Sequence, residues 1–446
     1  MTIISKPEEW PLEFYPVVET PTENVLSHYT LVEEYDGGFL LFHTISWSMY
    51  FLSKDEYDNL LNNEILKHYK VVLDKSIDET PIAEKVYIER SETGKEFTFD
   101  NIRGCVLMTT SNCNARCGYC YEKEIVPIGM TKKTADDVID FIEKHKDTNF
   151  PIHIRWFGGE PLLNTKIIDY IVHRFHEDGI EFISDIVTNA YLANEETSKK
   201  FDYWKIKAAQ ITIDGVGKKY NEIKRYKGND TNPFQTVINN VWNIIRNSNA
   251  NVSIRVNVSE DNINDLDETL SYLTNIFSNE PRIGIYTSLI YQIMTNDDVE
   301  ISDGYTQRVR EIVKKYPSVT QHDDNAPIKK KFLRHCSSDI GSWVVINPQG
   351  KFGVCEHWND GEIIGDVVNG ITNREKAEEW RKKGGKNTEM CVKNKCPLLP
   401  VCEHFYKCVP NFVCVNNAMI KNKIEKKKKG VINTYNYWKE KYGKRE

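Results

Sequence analysis

The stretch SNCNARCGYCYEKE, residues 111–124, carries three cysteines, Cys113, Cys117 and Cys120, spaced C-x3-C-x2-C. Thiolates so close together suit a metal, but a closed zinc site wants four ligands and a disulfide framework an even count. A cubic [4Fe–4S] cluster accounts for the shortfall. A short loop can wrap three of its corners and leave one iron open to chelate a small molecule. Spacing alone also leaves standing a zinc site completed by a histidine or a distant cysteine. Seven more cysteines (Cys336, Cys355, Cys391, Cys396, Cys402, Cys408 and Cys414) gather near the other end, while residues 121–335 hold none. Disulfide scaffolds belong to short secreted chains, so two tight clusters in a chain of 446 residues read as ligand sets. Cys105, alone on an apolar run, reads as a small buried hydrophobe.

The elements that must position the first loop lie between about 102 and 295. Six β-rich runs recur there: CVLMTT, IHIRWF, FISDIVT, AAQITID, VSIRVNV and RIGIYTSLIYQI. Helical stretches separate most of them, with apolar faces at Ile168, Ile171 and Phe175, at Val237, Val241 and Ile245, and at Leu266, Leu270, Leu273 and Phe277. Alternation of this kind predicts a parallel α/β sheet curled into a full or partial barrel. Chemistry in such barrels sits on the loops after the strands' C-terminal ends. Each of the first five runs leads into, or ends in, a polar or glycine motif.

Taken together, these motifs resemble the radical S-adenosylmethionine (SAM) enzymes. The C-x3-C-x2-C loop, with aromatic Tyr119 before its last cysteine, is similar to that family's cluster signature. Phe157-Gly158-Gly159-Glu160-Pro161 looks like its GGEP motif, which implies that Gly158, Gly159, Glu160 and Pro161 serve the SAM amino group. Glycines permit close backbone approach and a carboxylate suits an ammonium. Thr188-Asn189 is similar to the family's TN element. TIDG (212–215) precedes Arg225, which resembles an arginine that pairs with the SAM carboxylate; Lys224, next to it, leaves the register open. Arg255 and Asn257 are similar to the R-x-N strand lining the site. The resemblance implies that the open iron takes the methionine end of SAM, and that reductive cleavage of SAM gives a 5′-deoxyadenosyl radical that abstracts a substrate hydrogen.

The later cysteines resemble the SPASM extension of these enzymes, which holds two auxiliary [4Fe–4S] clusters. INPQGKFGVC and IIGDVVNG match its hairpin and following turn. The pattern implies that Cys336, Cys355 and Cys408 hold one cluster, and Cys391, Cys396, Cys402 and Cys414 the other. The family's usual C-x2-C-x5-C-x3-C core is here C-x4-C-x5-C-x5-C, so Cys408 and Cys414 are interchangeable in this assignment. Seven cysteines cannot fill eight positions. One iron is left for another ligand, such as His335 or Cys105, or stays open. His357 and His404 read as structural or solvated. Zinc-ribbon packing is the alternative for the whole segment, although paired C-x2-C knuckles are missing.

Residues 1–98 predict a small α+β unit. Strands flank Asp36-Gly37-Gly38, and Ser53–Glu56 forms a capping box with Leu52 and Tyr57 around it. The unit resembles a winged helix whose edge strand pairs with a leader peptide; a solubilising or dimerising cap is the alternative. Residues 90–101 suit a linker, and Lys421–Glu446 a basic solvated helix or tail.

The expected division is therefore a peptide-binding domain over 1–98, a partial (β/α)6 radical SAM barrel over 99–325, a SPASM domain over 326–420 and a C-terminal helix or tail over 421–446. The expected activity is peptide maturation. A ribosomal precursor peptide would be bound through its leader and given a carbon–carbon or thioether crosslink, with electrons from an external flavodoxin- or ferredoxin-type donor. Formylglycine formation, peptide epimerisation and a non-catalytic electron carrier are the alternatives. A net charge of −7 argues against nucleic acid, and the apolar runs are too short for a membrane span. The start MTIISKPEEW lacks a signal pattern, which predicts a cytoplasmic protein.

Overall fold

The computed structural model describes residues 1–91, 99–120, 126–228, 230–259, 261–290, 308–309, 311–320, 342–353, 363–377, 389–402 and 417–442. The chain forms two compact units that do not follow its linear order. One gathers Met1–Glu96, Asp323–His335 and Trp380–Glu446; the other gathers Phe97–His322 and Cys336–Glu379. Residues of the expected cysteine-rich extension fall in both.

The first unit opens with strands β1 (Thr2–Ser5), β2 (Asn24–Leu26), β3 (Thr30–Tyr35), β4 (Gly38–His43), β5 (Ser48–Ser53) and β6 (Val72–Asp74). Its main sheet has the order β1-β5-β4-β3, and β2 pairs with β6 separately. Asp36 and Gly37 both take positive φ (56° and 77°) in a two-residue turn that matches the twist of the β3–β4 hairpin. The run from Phe39 to Leu52 is two strands, not one. Its second turn lacks glycine and proline and is built from polar side chains: His43 Nδ1 lies 2.7 Å from Ser46 Oγ, which lies 2.7 Å from Ser48 Oγ. Ser53 caps the next helix with Glu56 in the reciprocal bonds of a capping box. Helices Lys54–Asp58, Glu64–His68 and Thr80–Ser91 follow the sheet.

Arg90, which reads as linker, is buried. It donates to the carbonyls of Thr44, Ile45 and Pro400 and pairs with Glu8 at 2.8 Å. The C-terminal basic stretch is a helix, Asn417–Tyr442, that buries Val431 and Tyr435 in the same core as Leu31, Leu40 and Phe42. Lysines on its outer side keep it polar, while every third or fourth residue turns inward.

The second unit is built on β7 (Gly104–Thr110), β8 (Ile152–Gly158), β9 (Phe182–Thr188), β10 (Ile206–Thr212), β11 (Asn251–Val258), β12 (Ile283–Leu289), β13 (Val319–Thr320), β14 (Trp343–Ile346), β15 (Lys351–Gly353), β16 (Gly365–Asp366) and β17 (Gly370–Ile371). These form one sheet in the order β13-β12-β11-β10-β9-β8-β7-β14-β15-β16-β17, parallel from β13 to β14 and antiparallel beyond. Among the described residues its outer strands β13 and β17 do not pair, so it is a parallel α/β sheet with an antiparallel edge. The predicted helix faces at Ile168, Val237 and Leu270 and their neighbours are all buried. Cys105 is fully buried on β7. INPQGKFGVC and IIGDVVNG supply β14–β15 and the β16–β17 turn, so the edge of the sheet comes from chain beyond residue 340. Among the described residues no helix is long and apolar enough to cross a membrane.

Candidate functional site

Thr110 ends β7, and the chain then runs through Cys113, Cys117 and Cys120. The GGEP segment at the end of β8 packs directly on that loop. Gly159 N donates to Thr110 O (3.0 Å) and Glu160 N to Asn112 O (2.9 Å). A Cβ on Gly158 (φ +114°) would meet Thr110 O at 2.1 Å, and one on Gly159 would meet Asn112 O at 2.4 Å. Both glycines are thus required by close approach to the cysteine loop's own backbone.

Glu160 is fully buried. Its carboxylate accepts from Thr188 Oγ1 (2.7 Å), Asn189 N (2.8 Å) and Leu162 N (3.0 Å). Burial pushes it up to about 7 against the pull of those three donors. It therefore ties the end of β8 to the end of β9. Asn189 carries the link onward, donating to Asn114 Oδ1 at 2.7 Å, with its Nδ2 also 3.9 Å from Cys113 Sγ.

A second tie comes from the far side. Asp214, in the TIDG turn, is buried with Lys224, their charged atoms 2.8 Å apart. The Tyr119 hydroxyl donates to Asp214 and accepts from Lys224 Nζ (2.8 Å), which brings the cysteine loop into the group. Asp214 also accepts from Asn257 N at 2.9 Å, and Asn262 donates to the Asp214 and Asn257 carbonyls. Burial pulls the Lys224 ammonium down, but Asp214 and Tyr119 outweigh it and hold the lysine above its ordinary value. Burial and Asp214 together push the Tyr119 phenol well up.

Lys224 and Arg225 thus have different roles. Lys224 is locked in the interior. Arg225 is exposed, takes a left-handed backbone (φ 49°), and lays its guanidinium over Gly118, where a Cβ would meet Nη2 at 2.6 Å. Among the described residues it makes no ion pair.

Below these loops, alternate residues of β8–β12 form a polar face. Arg155 grips Asp185 with two bonds (2.8 and 2.9 Å), and His153 lies 3.0 Å from the same carboxylate. Burial raises Asp185, but His153 and Arg155 more than offset it and keep the carboxyl below its ordinary value. Tyr286 donates to Gln210 Oε1 (2.8 Å), and Arg255 donates to Asn257 Oδ1 (2.7 Å) and Ser288 Oγ (2.9 Å). Val106, Met108 and Val345 make the neighbouring wall apolar.

The loop suits a cluster on several counts. Burial pushes the Cys113 thiol up to about 12, and Glu160, Cys117 and Cys120 add to the rise. Ala115 N donates to Cys113 Sγ at 3.4 Å. Asn114 Nδ2 is buried without a partner, a donor left over for an anionic or sulfur-bearing occupant. Among the described residues no three His, Cys, Asp or Glu side chains converge as a single ion requires. A cubane places each cysteine on a different iron, so its ligands ring a volume instead.

The profile of the radical SAM superfamily matches residues 107–273. That span covers the cysteine loop, GGEP, Thr188-Asn189, TIDG, Arg225 and Arg255–Asn257. This is a radical SAM domain.

Among relatives, the chain is 32% identical over 179 residues to an uncharacterized protein of Methanocaldococcus jannaschii, covering 39% of this chain and 59% of that one. It is 24% identical over 346 residues to the radical SAM cyclopropyl synthase TigE of Paramaledivibacter caminithermalis, 72% of this chain and 70% of that one. It is 25% identical over 295 residues to the GTP 3′,8-cyclase of Clostridium perfringens, 62% of this chain and 87% of that one. The fold is that of native anSMEcpe solved with bound AdoMet and Cp18Cys peptide: TM-score 0.57, 14% identity, 76% of this chain and 99% of that one.

Of the other expected ligands, Cys391 lies in the short helix Glu389–Lys393, Cys396 in the turn after it and Cys402 at the end of the 3-10 turn Leu399–Val401, all in the first unit, with Cys396 N donating to Cys391 O and Leu399 N to Cys396 O. Cys336, Cys355, Cys408 and Cys414, with His335, His357 and His404, lie outside the described residues. Sequence reading missed Asn114 and Asn262 as parts of the site; it held Asp214 only within the TIDG motif and Lys224 only as the neighbour that left the Arg225 register open. The signal for Asp214 was present: an acidic residue directly after an apolar strand needs a buried partner.

Proposed function

We propose that the chain is a radical SAM enzyme that acts on a ribosomally made peptide and installs a carbon–carbon or thioether crosslink. The single observation that carries the reading is the convergence of the cysteine loop, GGEP, Thr188-Asn189 and Arg225 above a polar strand face. An electron carrier has no use for that arrangement. The relation to a cyclopropyl synthase over 72% of the chain supports it, as does the shared fold with a protein solved with AdoMet and a peptide.

Cys113, Cys117 and Cys120 would hold a [4Fe–4S] cluster, which with SAM supplies one-electron chemistry and a hydrogen-abstracting radical. The chain's own part is positioning. Glu160 fixes Asn189 and Thr188, and its carboxylate would have acceptor capacity left for the SAM ammonium. Arg225 supplies a cation for the SAM carboxylate. The Tyr119–Asp214–Lys224 group holds the loop's outer end rigid. Arg155, Asp185, Tyr286 and Arg255 orient the substrate by hydrogen bonds, while Val106, Met108 and Val345 keep that wall dry.

The first unit would supply peptide recognition. Among the described residues β3 is an edge strand, and an edge accepts an extended peptide by main-chain pairing. Cys391, Cys396 and Cys402 would serve an auxiliary cluster, and an external flavodoxin- or ferredoxin-type protein would supply electrons.

The test is anaerobic co-expression with the precursor peptide encoded alongside, read by mass spectrometry. Loss of two hydrogen masses per crosslink, with SAM cleaved, is expected; an unchanged peptide mass with SAM cleaved would overturn the crosslinking. The GTP 3′,8-cyclase relationship favours a nucleotide as the second reading, which GTP consumption by the reduced enzyme would reveal.

A further inference from the structure

Tyr29 begins the argument. It is 1% exposed in the core of the first unit, yet among the described residues its hydroxyl has no hydrogen-bond partner. The Thr80 side chain tempers the phenol, but among the described residues no atom stands in full hydrogen-bond geometry to it. A buried hydroxyl left unpaired is destabilising, so native proteins seldom keep one without a use.

What stands beside it is the chain around Cys396. His28, whose ring meets that of Tyr29 edge-on at 5.4 Å, donates Nε2–H to Lys395 O. Thr44 Oγ1 lies 3.0 Å from Tyr29 O and 2.9 Å from Pro397 O, bridging the two segments. Cys396 sits between these anchors and packs on the core that contains Tyr29. Cys391 packs on the same core, and Leu398, Leu399 and Val401 are buried in it.

We propose that Tyr29 is the hydrogen-bond donor to the iron–sulfur group held by Cys391, Cys396 and Cys402, with the Cys396 sulfur as acceptor. The inference rests on the reading of those cysteines as auxiliary-cluster ligands and adds to it. It makes the N-terminal unit one wall of the metal site as well as a peptide-binding module. Hydrogen bonds to ligand sulfur stabilise the more negative, reduced state and so set the reduction potential. Tyr29 is thus a positioning and tuning residue; it touches no substrate.

The experiment uses the full-length, anaerobically reconstituted protein. Cys391→Ala/Cys396→Ala/Cys402→Ala tests the underlying reading by iron content alone: unchanged iron sinks the auxiliary assignment whatever Tyr29 does. Tyr29→Phe tests the inference. Iron per chain should stay at the wild-type value while one cluster's midpoint, followed by electron paramagnetic resonance, moves to more negative potential and the others stay. An exchangeable-proton coupling at that cluster should vanish. With iron chelated out, the same variant should unfold at the same or a higher urea concentration than wild type, since an unpaired hydroxyl has been removed. Thr44→Val keeps the phenol but loosens Pro397, and should lower iron occupancy without removing the proton coupling in the loaded fraction. Unshifted potentials and an intact proton coupling in Tyr29→Phe, with or without loss of iron, would overturn the proposal.

Discussion

The two cysteine loops that the structure describes are held by opposite means. The loop from Cys113 to Cys120 hangs on polar groups: Asn114 to Asn189, Tyr119 to Asp214 and Lys224, and backbone bonds from the GGEP turn. The loop from Cys391 to Cys402 is held by a packed apolar core and by donors reaching its carbonyls, Arg90 to Pro400, Thr44 to Pro397 and His28 to Lys395. Polar tethers fix direction and leave donors and acceptors at the rim, which suits an exchangeable, charged cosubstrate. Apolar packing fixes position and excludes water, which suits a group that stays put and only changes charge.

The largest expected effect separates the two loops by function. Alanine at Cys113, Cys117 and Cys120 together should bring 5′-deoxyadenosine formation from SAM to background. Alanine at Cys391, Cys396 and Cys402 should remove iron yet leave some SAM cleavage, both read by chromatography beside iron assays. Equal loss of cleavage in the two triples would erase the contrast.

Next comes the polar tether itself. Lys224→Met leaves Asp214 buried without its cation, and breaking a buried pair from one side should lower stability by about 3–5 kcal/mol. Differential scanning calorimetry should show the loss, and an unchanged Tm would mean that the group is not a tether. On the apolar side, Leu399→Ala removes a fully buried side chain and should lower stability by about 2–5 kcal/mol, read in urea. Iron occupancy should fall with it.

The smallest effect is a pH dependence confined to the first unit. Burial, and then Arg90, pulls His43 down to about 3, so it folds neutral. The unfolded chain binds a proton there below its ordinary value, near 6.5. Stability is therefore fully present above that value and drains as pH falls toward the folded value, by at most about 1.4 kcal/mol per pH unit. Glu79, raised by burial on the other side of Ser27, works with the opposite sign. Comparing wild type with His43→Asn in urea at pH 7, 6 and 5 isolates the histidine: the variant should lose less. Parallel losses would show that His43 does not titrate on unfolding.

The sheet and the first loop were legible because both are local. Strand alternation, helix faces and C-x3-C-x2-C spacing are patterns within a few dozen residues, and the structure buries each helix face where periodicity put it. What could not be read depends on partners far along the chain. Arg90 reads as linker because its three carbonyl partners lie 45, 46 and 310 residues away. Lys224 reads only as a rival to Arg225 until Asp214 and Tyr119 are placed around it. The turn at Thr44–Trp47 carries no glycine, and its polar network exists only once the strands have paired. The GGEP glycines invited a ligand reading, while the neighbour that demands them is the chain's own backbone at Thr110 and Asn112.

The split first unit also bears on synthesis. Its sheet leaves the ribosome early, but Leu399, Val431 and Tyr435, which finish its core, come more than 300 residues later. At the usual pace of about 5–20 residues per second, that is a wait of roughly 20–70 s. Throughout that interval the nascent sheet exposes the apolar face meant for the C-terminal helix. Cys113, Cys117 and Cys120 emerge well before that interval ends. The first cysteine loop can therefore settle during translation, whereas the second waits for the residues that complete the core it packs on.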